Sequence, residues 1–254
     1  QTGCFAPGFT RNDWGTACPC LFPPMAVKSK PPAMRVVVDS ISNQIRQSLK
    51  SRLYTSGHLS KGVVMKKSLG AKTLAFPNPV WCVGSYDITG QPNLMTIAWG
   101  GICCSKPPAV TISLRKATYS YGNIMARKAY TINIPSIKYV KEADYVGMAS
   151  GKRENKFETT GLTPVKSDLV DAPYVDEFPM ILECKVIHTY EIGLHTQFIG
   201  EIIDVKVDQA TLTDKGLPDM AKVEPFIYGG EIQAYHQIGE KIADAFQIGK
   251  KLKI

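Results

Sequence analysis

Hydroxyl and basic side chains are concentrated within eight consecutive positions near the middle of this 254-residue chain. They are Ser113, Arg115, Lys116, Thr118 and Ser120. The residues before them read as a strand and those after them as a short helix, so the cluster lies where one gives way to the other. Cationic and hydroxyl donors beside the free N–H groups of a helix start are suited to bind a phosphate. The pattern predicts a phosphate site, although an Arg-Lys pair at a strand end is often only solvated.

A second group of polar residues lies on the strand predicted over Asn93–Trp99. Its residues alternate, so that Asn93 and Trp99 share one face and Thr96 lies on the other. Two glycines follow at 100–101, and glycines let a backbone approach a flat ligand closely. A half-buried strand with Trp99 in the core is the simpler interpretation of this pattern.

Three isolated positions complete the candidate set. Lys156 lies in the run Ser-Gly-Lys-Arg-Glu-Asn-Lys-Phe at 150–157, His195 begins a long strand, and Tyr228 lies in Pro-Phe-Ile-Tyr-Gly-Gly at 225–230. Taken singly, they read as a surface lysine, a polar strand residue and a core tyrosine. The four histidines of the chain show no metal-binding spacing, so we predict no metal site. The sequence also lacks the glycine-rich signatures of Rossmann and P-loop nucleotide sites.

Short predicted strands with turn signals between them favour an all-β fold with peripheral helices. We predict a Greek-key β-barrel of about six antiparallel strands. The predicted strands are Val80–Tyr86, Asn93–Trp99, Ala109–Arg115, Tyr130–Ile134, Met180–Ile192, His195–Asp208, Phe226–Tyr228 and Ile232–Gln237. The predicted helices are Ser120–Lys128, Lys138–Ala149 and Glu240–Gly249.

The net charge of +8 is unevenly distributed along the chain. Residues 1–64 hold eight Lys and Arg against two Asp and no Glu, whereas residues 65–254 hold 22 basic and 20 acidic residues. The nearly balanced second part gives no reason to expect a nucleic-acid partner. No apolar run is long enough to cross a bilayer, so we expect no membrane partner. We expect residues 1–64 to be disordered, or an upstream extension that is not native, and residues 65–254 to form the functional domain.

The seven cysteines show no regular spacing. This predicts reduced thiols and a cytoplasmic protein. Cys103 and Cys104 are adjacent, which leaves two interpretations open: a redox pair, or two small residues that line a tight turn.

From about Met65 to the C-terminus, the order and spacing of these motifs resemble the FMN-binding split-barrel flavin reductase-like family, in its flavoredoxin branch. The resemblance implies FMN as cofactor. Ser113, Arg115, Lys116 and Ser120 would hold its phosphate, with Thr118 as an alternative to Ser120 for the hydroxyl contact.

The same resemblance implies how the flavin ring would be held. Asn93, Thr96 and Trp99 would border the ring, where backbone amides can bind its N5 and carbonyl edges. Lys156 would reach the pyrimidine carbonyls or the phosphate, His195 the pyrimidine carbonyls, and Tyr228 would stack near the ring.

By this resemblance, the protein would be an oxidoreductase that takes electrons from NADH or NADPH and passes them through FMN to a flavin or protein acceptor. It would act as a homodimer with each flavin near the subunit interface. Two alternatives remain open: a flavoredoxin-type electron carrier that does not use NAD(P)H directly, and a ligand-binding or sensor module that holds haem or another flavin.

Overall fold

The computed structural model describes residues 65–252. The architecture below is that of the compact unit over residues 69–254. The segment 1–64, for which the sequence predicts disorder or a non-native extension, lies outside the described residues.

Twelve strands and four α-helices make up the described part of this unit. The strands are β1 (Asn78–Pro79), β2 (Trp81–Tyr86), β3 (Pro92–Ile97), β4 (Gly100–Ser105), β5 (Pro108–Arg115), β6 (Ala129–Ile134), β7 (Pro164–Lys166), β8 (Pro173–Val175), β9 (Met180–Ile192), β10 (His195–Val207), β11 (Phe226–Tyr228) and β12 (Tyr235–Gln237). The α-helices are α1 (Tyr119–Arg127), α2 (Val140–Met148), α3 (Lys156–Thr160) and α4 (Met220–Val223). Short 3-10 helices occur at Ile137–Tyr139, Gln209–Thr211, Gly230–Ile232 and Ile248–Leu252.

Seven antiparallel strands form the main sheet, in the order β3-β2-β6-β9-β10-β5-β4. The two edge strands, β3 and β4, follow each other in the chain and are separated by two residues only. The sheet must therefore curl until its edges approach. The Ser113 N–H donates to the Trp99 carbonyl at 2.9 Å, which extends the β4–β5 pairing into the bend between the two edge strands. The predicted antiparallel β-fold with peripheral helices is confirmed.

The main sheet has one strand more than predicted, because β4 forms where the sequence indicates a small-residue turn. Residues 102–105 are exposed, so β4 has no buried face to produce an alternating pattern. Its backbone ladder with β5 holds it instead.

The core lies on the inner face of the sheet. On β10, Thr196, Phe198 and Gly200 are buried and alternate with less buried residues. Phe198 packs with apolar residues from β2, β5, β6, β9 and α1 in the largest buried cluster. Gly200 leaves room for the Tyr130 ring, since a Cβ at Gly200 would lie 2.7 Å from its Cζ.

The predicted helix at Glu240–Gly249 is wrong. Residues 240–247 contain no helix, and only a 3-10 helix follows at Ile248–Leu252. Ile242 and Phe246 are 99% and 92% exposed, and an isolated short helix without an apolar surface to pack on is marginal in water. The other two predicted helices form within two residues of their predicted ends, whereas only Tyr235–Gln237 of the last predicted strand is extended. Within residues 65–252, the helices are all too short or too polar to cross a membrane.

Candidate functional site

Three of the predicted phosphate and ring residues share the outer face of the main sheet. Arg115 pairs with His195 across β5 and β10, and Ser113 pairs with Gln197. Directly opposed residues point to the same face, and the residues between them, such as Leu114, are buried in the core. Ser113, Arg115 and His195 therefore lie together outside the barrel.

Trp99 joins this group from the bend between β3 and β4. Its ring centroid lies 4.5 Å from that of His195, with the planes tilted by 46°. Trp99 is 42% exposed, so it is a surface residue of the sheet and the alternative of a core tryptophan does not hold.

The two basic residues of the cluster differ in their partners. Within residues 65–252, the Arg115 side chain is exposed and has no hydrogen-bond or ion-pair partner, so its guanidinium donors are free for a ligand. The Lys116 ammonium lies 2.7 Å from a carboxylate oxygen of Glu191. This hydrogen bond raises the pKa of Lys116.

The start of α1 lies next to Arg115. Thr118 is its N-cap, but the Thr118 hydroxyl donates to the Arg115 carbonyl at 2.9 Å and does not cap the helix. Ser120 is 1% exposed, and its hydroxyl oxygen accepts a hydrogen bond from the Asn93 side-chain amide at 2.8 Å. Of the two candidate hydroxyls, that of Thr118 lies nearer the surface.

Asn93 is buried, and one of its polar atoms has no partner. The residue is 4% exposed, and its Oδ1 has no hydrogen bond among the described residues. Gly151 covers this oxygen so closely that a Cβ at Gly151 would overlap it and would lie 2.7 Å from Tyr119 Cδ1. A cavity of 150 Å³ adjoins these residues and also reaches Asp87 and Lys156. Asn93 thus links β3 to the start of α1 from inside the fold.

Lys156 is an interior residue. It is 4% exposed, and its ammonium donates to the carbonyls of Leu94 at 2.7 Å and Val146 at 2.8 Å. Burial lowers its pKa to about 8. The ammonium has three N–H donors, so one remains beyond these two bonds. Its contact with a flavin stays a prediction.

Thr96 is committed through its side chain to the protein itself. Its hydroxyl donates to the Ala143 carbonyl of α2 and lies 3.3 Å from the sulfur of Cys82. Burial raises the pKa of Cys82 to about 12, so the thiol is protonated and can donate to Thr96. The backbone of Thr96 is a better candidate for a ligand contact. β3 is an edge strand, and the Leu94 carbonyl accepts its hydrogen bond from Lys156 on the side away from β2. Backbone groups two residues apart in a strand point the same way, so the backbone of Thr96 also faces away from β2.

Thr96 and Tyr228 line one groove of 470 Å³ between β3, α2 and a small three-stranded sheet in the order β1-β11-β12. Its volume is typical of a small-ligand site. Tyr235 stands beside Tyr228, with ring centroids 5.7 Å apart. The Tyr235 hydroxyl donates to Asp144 at 2.7 Å, and burial together with this bond raises the pKa of Tyr235.

Sequence reasoning missed Asp144 and Tyr235. They lie 91 positions apart, and no spacing rule connects a residue of α2 with one of a short C-terminal strand. The sequence signal was only that of an ordinary helix and an ordinary strand.

The groups that this region offers are flat, polar or cationic. It combines an aromatic groove, the backbone edge of β3 and an Arg115 guanidinium that has no partner within residues 65–252. The described residues hold no cluster of three His, Cys, Asp or Glu side chains that would bind a metal ion. Such a region is suited to a planar ring that carries an anionic tail.

Solved structures of known proteins have the same fold. A flavoredoxin of Desulfovibrio vulgaris (Miyazaki F) is 57% identical, with a TM-score of 0.70 over 73% of this chain and 100% of that one. A flavoredoxin of Methanosarcina acetivorans is 27% identical, with a TM-score of 0.67 over 74% of this chain and 98% of that one.

Among curated proteins, an uncharacterized Archaeoglobus fulgidus protein is 33% identical over 115 residues, which is 45% of this chain and 65% of that protein. A ferric-chelate reductase (NAD(P)H) of the same organism is 23% identical over 104 residues, which is 41% of this chain and 60% of that protein. This chain thus matches somewhat less than two thirds of either relative's length.

The model of the flavin reductase like domain matches residues 73–228, which include every candidate site residue named above except Tyr235. With this match over more than half of its length, the chain belongs to the flavin reductase like domain family.

Proposed function

We propose that this protein binds FMN and uses it to transfer electrons from NADH or NADPH to a flavin or protein acceptor. The observation that carries the proposal is the Arg115 guanidinium, which has no partner within residues 65–252, beside the uncapped start of α1. An aromatic groove is lined by Thr96 of the edge strand β3. A guanidinium and helix N–H groups favour a doubly anionic phosphate, and a strand edge favours the polar rim of a flavin ring.

The phosphate is assigned to Ser113, Arg115, Lys116 and the start of α1. At the helix start, Thr118 makes the first hydroxyl contact, and Ser120 joins if the Asn93 amide yields its hydrogen bond. The charge of Lys116 remains useful to the phosphate because its ion pair with Glu191 is exposed and can be exchanged.

The ring is assigned to the backbone of β3 at Thr96 and of the bend at Trp99, with Tyr228 beside it. Asn93 and Thr96 are about 10 Å apart along an extended strand, which separates the phosphate end from the ring end. His195 approaches the ring through its contact with Trp99. Lys156 either donates its one remaining N–H to the flavin or holds the β3 backbone beside the flavin through its hydrogen bond to the Leu94 carbonyl.

When bound, FMN would supply the acceptance and release of hydride or of single electrons. The protein would bind and orient it and tune its electrostatics. A catalytic acid or base is not required for hydride transfer, which agrees with a site built from binding groups. The name of the A. fulgidus ferric-chelate reductase (NAD(P)H) supports a nicotinamide donor.

The homodimer belongs to the same proposal. Ile192 pairs with His195 and Tyr190 with Gln197, so these residues continue the outer face that carries Arg115. Tyr190 and Ile192 are 52% and 59% exposed, and an exposed apolar surface beside a ligand site is typical of a protein interface. Sedimentation of the full chain should give twice the chain mass, and a monomer would contradict this part of the proposal.

Anaerobic mixing of the FMN-loaded protein with NADH or NADPH tests the function. Rapid bleaching of the visible flavin band at a rate that saturates with the nicotinamide is the expected result. A band that stays unchanged with both donors, but bleaches with dithionite, would refute NAD(P)H dependence.

An electron carrier is the second candidate. The 57% identity to a flavoredoxin over the whole length of that chain favours it. It predicts no bleaching by either nicotinamide and rapid reduction by a low-potential electron-transfer protein.

A further inference from the structure

The adjacent cysteines of β4 are presented to solvent together. Cys103 and Cys104 are both exposed thiols. In a regular strand, neighbouring side chains point to opposite faces. Here the register with β5 shifts between Ile102, which pairs with Val110, and Cys104, which pairs with Ala109. Cys103 is the extra, unpaired residue of this bulge.

The surroundings of the pair leave it accessible. β4 is an edge strand of the main sheet, and within residues 65–252 no strand pairs with the outer side of its backbone. Partial burial and the second thiol beside it both raise the pKa of Cys103. The other two cysteines of the described residues, Cys82 and Cys184, are 0% exposed and thus cannot compete for a reagent in solution.

A disulfide between Cys103 and Cys104 is disfavoured by their spacing. Neighbouring Cα atoms are about 3.8 Å apart, whereas disulfide-linked Cα atoms usually lie about 4.4–6.8 Å apart. Two thiols that remain reduced side by side can instead bridge one larger atom. Once the first sulfur is attached, the second reacts at a high effective concentration.

We propose that Cys103 and Cys104 form a chelating dithiol site for a soft, thiophilic acceptor of two sulfur ligands, with trivalent arsenic as its representative. With phenylarsine oxide, the arsenic–oxygen double bond is replaced by two arsenic–sulfur bonds. The two thiol protons leave with the oxygen as one water molecule. The oxidation state of arsenic does not change, so the reaction needs no oxidant or reductant. This dithiol site shares no residue with the proposed FMN site.

Native mass spectrometry of the full chain with phenylarsine oxide tests the proposal. The wild-type chain should retain one more equivalent of the arsenical than the Cys103→Ser/Cys104→Ser chain. This equivalent should survive a large excess of a monothiol and be removed by dithiothreitol. The difference between the two chains also removes any contribution of Cys4, Cys18 and Cys20, which lie outside the described residues.

The single variants Cys103→Ser and Cys104→Ser separate chelation from simple thiol reactivity. Each should release the arsenical to the monothiol at least tenfold more readily than the wild type. An unchanged thermal unfolding midpoint and unchanged FMN binding show that these variants are folded. Equal retention by the wild type and the double variant, or full retention by either single variant, would overturn the proposal.

Discussion

Replacing Arg115 by alanine should weaken FMN binding and leave riboflavin binding almost unchanged. The Arg115 side chain is exposed and has no partner within residues 65–252, so its removal breaks no internal hydrogen bond of that part of the fold. The effect should therefore appear in binding and not in stability. A hydrogen bond to a charged group contributes about 1.5–3 kcal/mol, and each 1.4 kcal/mol is about a factor of ten. The expected loss for FMN is tenfold to about a hundredfold.

Quenching of flavin fluorescence gives both dissociation constants for each variant. Lys166→Ala, on β7, removes one positive charge away from the site and serves as the matched control. Lys116→Ala should have a smaller effect than Arg115→Ala, because Lys116 already has Glu191 as a partner. Equal losses for FMN and riboflavin in Arg115→Ala, or equal losses in Arg115→Ala and Lys166→Ala, would show that the phosphate site is misplaced.

Three further changes test other parts of the structure. Gly151→Ala should lower the free energy of unfolding by about 1–3 kcal/mol in urea denaturation, because its Cβ would overlap Asn93. Gly122 lies in α1 with open space where a Cβ would be, so Gly122→Ala should raise the free energy of unfolding by up to about 1 kcal/mol. A loss of stability in Gly122→Ala equal to that in Gly151→Ala would refute the packing argument. Burial lowers the pKa of Lys156 in the folded state to about 8, so between pH 8 and the ordinary lysine pKa of 10.5 the unfolded chain binds more protons than the folded one. The free energy of unfolding of the wild type should therefore rise over this pH range relative to that of Lys156→Met, and parallel pH profiles would contradict this. A chain that begins at Met65 should bind FMN as the full chain does, because the family match begins at residue 73, and a large loss of affinity would assign residues 1–64 a part in the site.

The elements that the sequence predicts well are those whose patterns report a buried face. β9 and β10 have long β-branched segments, and α1 begins within one residue of its predicted start. The sequence does not predict β4, because this strand has no buried residues to alternate with exposed ones. Its hydrogen bonds to the backbone of β5 define it as a strand. The helix expected at Glu240–Gly249 illustrates the reverse case, in which a helical composition lacks a surface on which to pack.

For the candidate site, sequence reasoning found the residue types but not their directions. Trp99, Arg115 and His195 lie together, as expected for neighbouring strands. Asn93 and Lys156 point into the fold and bind Ser120 and backbone carbonyls, which depends on three-dimensional contacts between distant segments. Such inward contacts leave no trace in the spacing of single residues.

The hydrogen bonds of Thr96 show that its side chain contacts the protein itself and not a ligand. The hydroxyl is held by Ala143 and the thiol of Cys82, so its contribution to a ring contact passes to the backbone edge of β3. A Thr96→Val change should then preserve most of the FMN affinity while it lowers stability.

The stoichiometry of FMN on the full chain tests the central claim most directly. After the protein is mixed with excess FMN and separated by gel filtration, its visible absorbance gives the amount of flavin retained. The account predicts one FMN per chain, with quenched fluorescence and the phosphate intact. Flavin that elutes entirely apart from the protein and keeps its full fluorescence would contradict it.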